Sequence, residues 1–526
     1  MGKDDAAVME PASTTREIRT VFAGLMLALA LAALDQNIVG TALPMIVSDL
    51  GGLSHLSWVV TSFMLTSTTT TPLYGKLSDM YGRKPLFVVS ISVFLIGSCL
   101  CGLSTSMMEL VVFRGIQGLG AGGLITLAQT TIADLVSPRE RGRYQGLFGA
   151  VFAFSSIAGP LVGGFITDAL SWRWIFYVNL PVGTLALALI VFGFRRPQRK
   201  VSHRVDYAGV LLLTAWTTTL LLVLTWGGVV YSWSSPTIVF LAAASAIIFF
   251  LLVRQECRAA EPVFSPNIFR NKIFLIASSS VGLTFMSMLG AVVFMPLFFQ
   301  LVLGFSPSRA GLMMAPMTIG LIAASFSGGR IVSRTGRYKM FPVIGLALAV
   351  SMLLAVTWAA LAGAGVLLLE SILSLLGFGF GLVTPNLTVA IQNAVEPHEL
   401  GMATATAGFF RSLGGAFGVA LSGAIVTSQL HGMQTMSASG TGIRSLVEQG
   451  IQEIAQLSPL QRDAVLHAYR SAISTTFVVG ALIALIAFVI AVFLPEKPLK
   501  TSRPSADAEP EAGPEAERAA AVSDAA

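Results

Sequence analysis

Gly75-Lys76-Leu77-Ser78-Asp79-Met80-Tyr81-Gly82-Arg83-Lys84 lies between two long apolar runs. A degraded copy, Gly329-Arg330-Ile331-Val332-Ser333-Arg334-Thr335-Gly336-Arg337, follows 254 residues later. A basic loop punctuated by glycine, set between apolar runs and repeated once per half, marks a membrane protein built from two related halves.

Composition leads to the same class. The chain has 526 residues, 54% of them hydrophobic and only 11% charged, and its mean hydropathy is +0.77. Soluble domains carry about 25% charged residues. So few charges cannot cover a water-exposed surface, so the bilayer is the solvent and the spans are expected to be helices that satisfy their own backbone. The net charge of +6 is scattered over many short loops and does not point to nucleic acid. The apolar stretch after Arg16 and Arg19 outruns a signal-peptide core and lacks a cleavage site, so it is expected to remain as the first span. Cys99 and Cys101 sit two apart on a predicted helix and point to different faces, so core packing is the expected role. No phosphate-binding loop and no clustered His/Cys metal spacing occurs. No metal or cofactor is expected, which leaves an ion gradient as the energy source. One charge crossing 100 mV supplies about 2.3 kcal/mol.

Windows of about 20 apolar residues give about fourteen candidate spans. The least sharply divided are 207–226 and 236–253. Alternate loops collect the basic residues, among them Lys76, Arg83 and Lys84, then Arg139, Arg141 and Arg143, then Arg195 to Arg204, then Arg330, Arg334, Arg337 and Lys339. The opposite loops are nearly bare. The positive-inside rule makes the basic side cytoplasmic, with both termini on it. The expected layout is a cytoplasmic tail 1–19, a six-helix bundle 20–200, two inserted helices 201–260, a second six-helix bundle 261–496 with an external loop 429–472, and a disordered cytoplasmic tail 497–526. The inserted pair has no ionisable residue in its interior and is expected outside the bundle, against lipid.

Several motifs now carry a resemblance. Gly75 to Lys84 is similar to the loop between the second and third spans of the major facilitator superfamily. Arg114-Gly115-Ile116-Gln117-Gly118-Leu119-Gly120 resembles that superfamily's fourth-span motif. Gly146, Gly159, Pro160, Gly163 and Gly164 resemble the fifth-span motif of its antiporters, with Ser155 standing where the motif has Gly. Leu34-Asp35, Trp172 to Pro181, and Phe410-Arg411-Ser412-Leu413-Gly414-Gly415 look like the fourteen-helix drug:proton antiporter branch, the EmrB/QacA type. The resemblance implies an all-α major facilitator fold of two six-helix bundles plus two central helices. It also implies that Gly75, Asp79, Gly82, Arg83 and Lys84, with Asp134, latch the cytoplasmic side, and that the Gly146–Gly164 stretch forms a bend tied to antiport.

The residues themselves give these groups work to do. Asp79 near a helix end can act on the positive end of a neighbouring helix dipole, and Arg83 can pair with Asp134. A charge at mid-membrane costs about 2.5–3.5 kcal/mol on insertion scales, so intramembrane ionisable residues are functional candidates. Asp35, Arg114, Glu370 and Arg411 are those candidates, and Asp35 and Arg114 fall in the same half of the bilayer. Burial favours a neutral carboxyl and a nearby guanidinium favours a charged one. An acid that alternates between the two takes up and releases a proton. Trp58, Phe63, Met64, Gln117, Phe152, Glu370 and Arg411 are candidate cavity residues, because Met and aromatic walls suit varied hydrophobic ligands.

The expected function is a proton-coupled multidrug efflux antiporter in the cell membrane that exports hydrophobic cationic compounds by alternating access and acts as a monomer. It is not expected to be an enzyme. The partners are small hydrophobic substrates and lipid, not nucleic acid; a periplasmic adaptor stays possible, although its binding site is not readable from the chain. Export of one dedicated metabolite, peptide or siderophore by the same machinery stays open. A membrane receptor or scaffold is the third alternative, although it needs neither a buried Asp35 nor a repeated loop.

Overall fold

The computed structural model describes residues 15–51, 56–193, 206–228, 231–259, 262–305, 307–434 and 459–499. The start of the N-terminal tail, the basic stretch Arg195 to Arg204, the middle of the 429–472 loop and the tail beyond 499 lie outside the described residues. The described chain is helical. In order, the helices are α1 (Thr15–Leu50), α2 (Leu56–Tyr81), α3 (Arg83–Leu103), α4 (Met107–Leu135), α5 (Pro138–Ala169), α6 (Trp174–Tyr177), α7 (Asn179–Gly193), α8 (Tyr207–Trp226) and α9 (Pro236–Glu256). They continue as α10 (Pro266–Arg270), α11 (Lys272–Leu301), α12 (Pro307–Leu312), α13 (Ala315–Thr335), α14 (Met340–Leu361), α15 (Val366–Ala394), α16 (Leu400–Gln434) and α17 (Pro459–Val492).

Among the described residues, twelve stretches are long and apolar enough to cross a membrane, where about fourteen were expected from hydropathy. The two long helices outside that set are α2 and α5. Helix α2 falls short because Thr61, Ser62 and the run Thr66 to Thr71 dilute its apolar character. Helix α5 includes positions whose side chains lie outside the described set, Pro160 among them.

Local chemistry sets the turns. Gly82 separates α2 from α3 at φ 88°, and Gly336 closes α13 at φ 74°. Both are the second glycine of the repeated loop, and the left-handed backbone there favours a residue without Cβ. Ser106 caps α4 by accepting from the Glu109 amide, and Ser137 and Glu140 form a capping box ahead of Pro138 at the start of α5. Tight reversals of this kind hold sequence neighbours side by side.

Buried apolar side chains fall into separate groups. Two clusters draw only on α1 to α7 and the turns between them, around Phe87, Phe94 and Leu124 and around Val39, Leu110 and Phe176. Two others draw on α10 to α17, around Phe298, Leu373 and Phe477 and around Phe274, Leu387 and Ala487. Between the two sets, α2 packs on α16 and α5 packs on α13. Glycines make these crossings close. A Cβ at Gly75 would meet Ala405 and the Gly401 carbonyl, and one at Gly329 would meet the Gly142 carbonyl. A Cβ at Gly146 would come within 2.9 Å of the Phe326 backbone. These contacts all lie toward the end that carries the two loop motifs.

The central pair α8 and α9 packs on itself, and α8 also seats on α2 and α16. Trp216 lies between Phe249 and Phe409, and Trp58 meets Trp226 edge to face at 5.5 Å. Helix α9 exposes Val239, Phe240, Ile247 and Phe250, a face suited to lipid. The pair is therefore outside the bundle but not confined to lipid, because α8 touches both helices of one inter-half crossing.

Gly329→Leu should force α5 and α13 apart at the loop-motif end. A short bifunctional maleimide should link cysteines at 139 and 334 efficiently in the Gly329 background and several-fold less in the variant. Equal linking would show that the glycine contact does not set the crossing.

Candidate functional site

Helix α1 carries Asp35 after the apolar run Leu29 to Leu34 and ahead of Gln36, Asn37 and the apolar pair Ile38-Val39. Its carboxylate is fully buried and is surrounded by donors. Arg114 Nη1 of α4 lies 2.7 Å from Oδ2. Gln117 Nε2 and Asn179 Nδ2 donate to Oδ1 at 2.8 and 2.9 Å. Arg114 also donates to the Gln117 side-chain oxygen at 2.7 Å and to the Val59 carbonyl at 3.3 Å. Its guanidinium stacks 4.1 Å from the Phe63 ring. Ser98 accepts from Gln117 and Asn179 and donates to the Phe176 carbonyl at 2.8 Å. Helices α1, α2, α3, α4 and the start of α7 thus meet in one buried polar network. A charge pair removed from solvent is tolerable only when its remaining donors and acceptors are filled in this way.

Sequence reasoning placed Asp35 and Arg114 within reach of each other, and they touch. Gln117 and Phe63, candidate cavity residues, both contact Arg114 in this network. Sequence reasoning missed Ser98 and Asn179. A lone Asn opening the apolar Asn179–Gly193 helix was the available signal.

The loop-motif end holds a second cluster. Asp79 pairs with Arg83 at 2.6 Å, and Arg83 Nε lies 2.8 Å from Asp134; Arg83 also donates to Ser78 Oγ. Across the crossing, Asp79 accepts from the backbone amides of Gly401 and Met402 at 3.0 and 2.8 Å. These are the first amides of α16, unsatisfied within the helix and at its positive dipole end. One carboxylate therefore joins the Arg83–Asp134 pair to the opposite half. In the second copy Ser333 replaces Asp79, and the link reverses polarity: Arg139 donates to the Ser333 and Arg334 carbonyls at 3.0 and 2.8 Å in an exposed position. Arg141 adds a buried bond to the Gln392 carbonyl at 3.1 Å. Lys84 flanks this end, half-buried. At the far end of α1, Arg173 and Trp172 donate to Asp49, and Arg173 holds that carboxyl below the usual range.

The remaining candidates spread out. Along α5, Gly146 meets α13 and Gly159 backs onto Asn37 of α1, where a Cβ would come within 2.7 Å. Ser155 and Gly163 are buried, while a Cβ at Gly164 would meet open space. The helix runs through Pro160 without a break. Met64 is exposed, Phe152 packs beside the core cluster around Phe94, and Trp58 meets α8. Glu370 sits near the start of α15, at the opposite end of that helix from Gln392. Arg411 lies in α16, 5.7 Å from the Phe285 ring, and lines a narrow pocket with Gln129 and Thr404.

Residues 25–419 match the family described as Major Facilitator Superfamily. The chain belongs to the Major Facilitator Superfamily. Multidrug transporter protein MdtP of Bacillus subtilis (strain 168) is 35% identical over 412 residues, covering 78% of this chain and 76% of that protein. Multidrug resistance protein 3 of the same organism is 34% identical over 497 residues, covering 91% and 95%. The crystal structure of the human organic anion transporter MFSD10 superposes with a TM-score of 0.64 at 16% identity, over 91% of this chain and 100% of that one, a likeness of fold. Membership makes the chain a multi-pass membrane transporter, not an enzyme. One cluster lies within the α1 to α7 set and the other across the seam to α16.

Asp79→Ala removes two backbone bonds to α16 and one partner of Arg83. Spin labels at 143 and 398 should report a larger share of long distances in this variant, with substrate affinity changed less than threefold. An unchanged distance distribution would show that the carboxylate does not hold the seam.

Proposed function

We propose that this chain is a proton-coupled drug efflux antiporter that works by alternating access across fourteen spans. The observation that carries the reading is the fully buried Asp35 carboxylate, held by Arg114, Gln117 and Asn179. A proton on Asp35 removes the charge that Arg114 pairs with. Breaking a buried pair by neutralising one partner costs about 3–5 kcal/mol, ample to shift a balance between two conformations. Asp35 and Arg114 are the coupling residues in this reading. The names of the two Bacillus subtilis relatives, multidrug transporter and multidrug resistance protein, favour drugs as cargo.

Adding α2 and α5 to the twelve apolar stretches gives fourteen spans. The hydroxyls of α2 are compatible with lipid depth because they bond to their own helix: Thr66 to Ser62, Thr69 to Leu65, Thr70 to Thr66 and Thr71 to Ser67 carbonyls, at 2.8 to 2.9 Å. Two six-helix halves then flank the α8–α9 insert. The positive-inside rule makes the loop-motif end cytoplasmic. Closure at that end, through Asp79, Arg83, Asp134 and the paired glycines, corresponds to an outward-facing conformation. Release of that closure on protonation of Asp35 would expose the site to the cytoplasm. Gly142, Gly146 and Gly149 of α5 meet α13 at short range and let the halves rock past each other.

In proteoliposomes with an imposed proton gradient, Asp35→Asn should abolish uphill dye export while purifying as a monodisperse protein and still allowing downhill exchange. Uphill export at wild-type rate by this variant would refute proton coupling through Asp35. Arg114→Lys should lower the uphill rate at least tenfold, because a point charge cannot serve Asp35, Gln117 and the Val59 carbonyl together.

A further inference from the structure

Arg411 is the unexplained charge of the second half. It lies eleven positions into α16, about 17 Å along the helix axis from its start, near the middle of a hydrocarbon layer about 30 Å thick. The other arginines discussed above have carboxylate or carbonyl partners: Arg83 and Arg114 pair with acids, and Arg139 and Arg141 donate to backbone carbonyls. Among the described residues, Arg411 forms no hydrogen bond and no ion pair. Its recorded contact is the Phe285 ring at 5.7 Å. A guanidinium in this position is costly unless something anionic answers it.

Its surroundings are neutral polar groups that can donate as well as accept. Gln129 from α4, Thr384 from α15 and Thr404 from α16 line the same narrow pocket, and no acidic residue lines it. The Thr404 hydroxyl accepts from Gln392, which leaves its own proton free to donate. Val281 and Ala407 supply an apolar side, with Phe285 across the guanidinium. One turn nearer the closed end, Gly408 approaches Thr71 and Thr126, so the pocket sits just beyond the seam where the two halves meet. It draws on both halves, α4 from one and α11, α15 and α16 from the other.

We infer that Arg411, with Gln129, Thr384 and Thr404, forms the head-group site for a carboxylate-bearing amphiphile carried by this transporter. The inference rests on reading the space between the halves as the export path, and it refines the cargo expected from the sequence. A cationic head would need an unpaired acid at this place, whereas the structure presents an unpaired cation. The space beside the guanidinium is about 10 Å³ as the halves sit here, room for about one water, so the carboxylate enters as the halves part, with the chain or ring that bears it on the apolar side. A guanidinium can hold such a group in a two-point contact.

The test uses purified full-length protein in detergent, without a gradient, and reads the fluorescence of dansyl-aminoundecanoate, its methyl ester and ethidium. The wild type should bind the carboxylate at least tenfold more tightly than the ester, and acetate alone should compete only weakly. Arg411→Gln should erase the preference, so that carboxylate and ester bind equally, and Arg411→Lys should keep part of it. Equal affinity for carboxylate and ester in the wild type would overturn the assignment, as would an undiminished preference in Arg411→Gln or acetate binding as tightly as the amphiphile. If both variants fail to fold, the wild-type ratio decides. Failure of gradient-driven export would sink the antiport reading and leave this binding result standing.

Discussion

A carboxylate far from water must find its donors inside the protein, and the first half is organised around that requirement. Asp35 draws Arg114 and Gln117 from α4 and Asn179 from α7, and Ser98 of α3 joins the last two. The network fixes how these helices meet, because each donor has a defined direction whereas apolar contact has none. Phe63 and Phe176 flank the guanidinium and keep the pair dry. The three bonds that Asp35 accepts come from α4 and α7, so its charge bears on more than one helix.

The second constraint acts between the halves. Lipid gives apolar helices no hydrophobic reason to associate, so close approach and polar bonds must do it. Gly75 against Gly401, and Gly142 against Gly329, bring backbones together at one end. Asp79 fills the first amides of α16, and Arg139 and Arg141 fill carbonyls across the seam. Such contacts are strong when formed and cheap to exchange for water when opened. That suits a seam that closes and opens in each cycle. The two copies of the loop reach this result with opposite polarity, carboxylate to amides in one and guanidinium to carbonyls in the other, because Ser333 cannot do what Asp79 does.

Much of this was legible in the sequence. The repeated glycine spacing announced two related turns, and Gly82 and Gly336 both adopt positive φ. The Asp35–Arg114 and Arg83–Asp134 pairs follow from span direction and depth. What the sequence hid depends on side-chain direction across helices. The stacking of Phe63 on the Arg114 guanidinium is one such feature. Ser98 and Asn179 look like ordinary small polar residues until their partners are known. The hydroxyl-rich α2 falls below a span's hydropathy because averaging counts each Thr as polar, although several of these hydroxyls are satisfied by the helix itself. The seat of α8 on α2 and α16 depends on Trp216 and Trp226, whose aromatic partners lie far away in sequence or in another helix.

In the proposed cycle the charge state of Asp35 governs closure at the loop-motif end. The most direct test is the distance between spin labels at 143 and 398, followed as pH is lowered in the wild type and in Asp35→Asn. The account predicts that acid raises the long-distance population of the wild type, and that the variant shows that population at every pH. A wild-type distance that ignores pH, or an Asp35→Asn protein that still responds like the wild type, would contradict it.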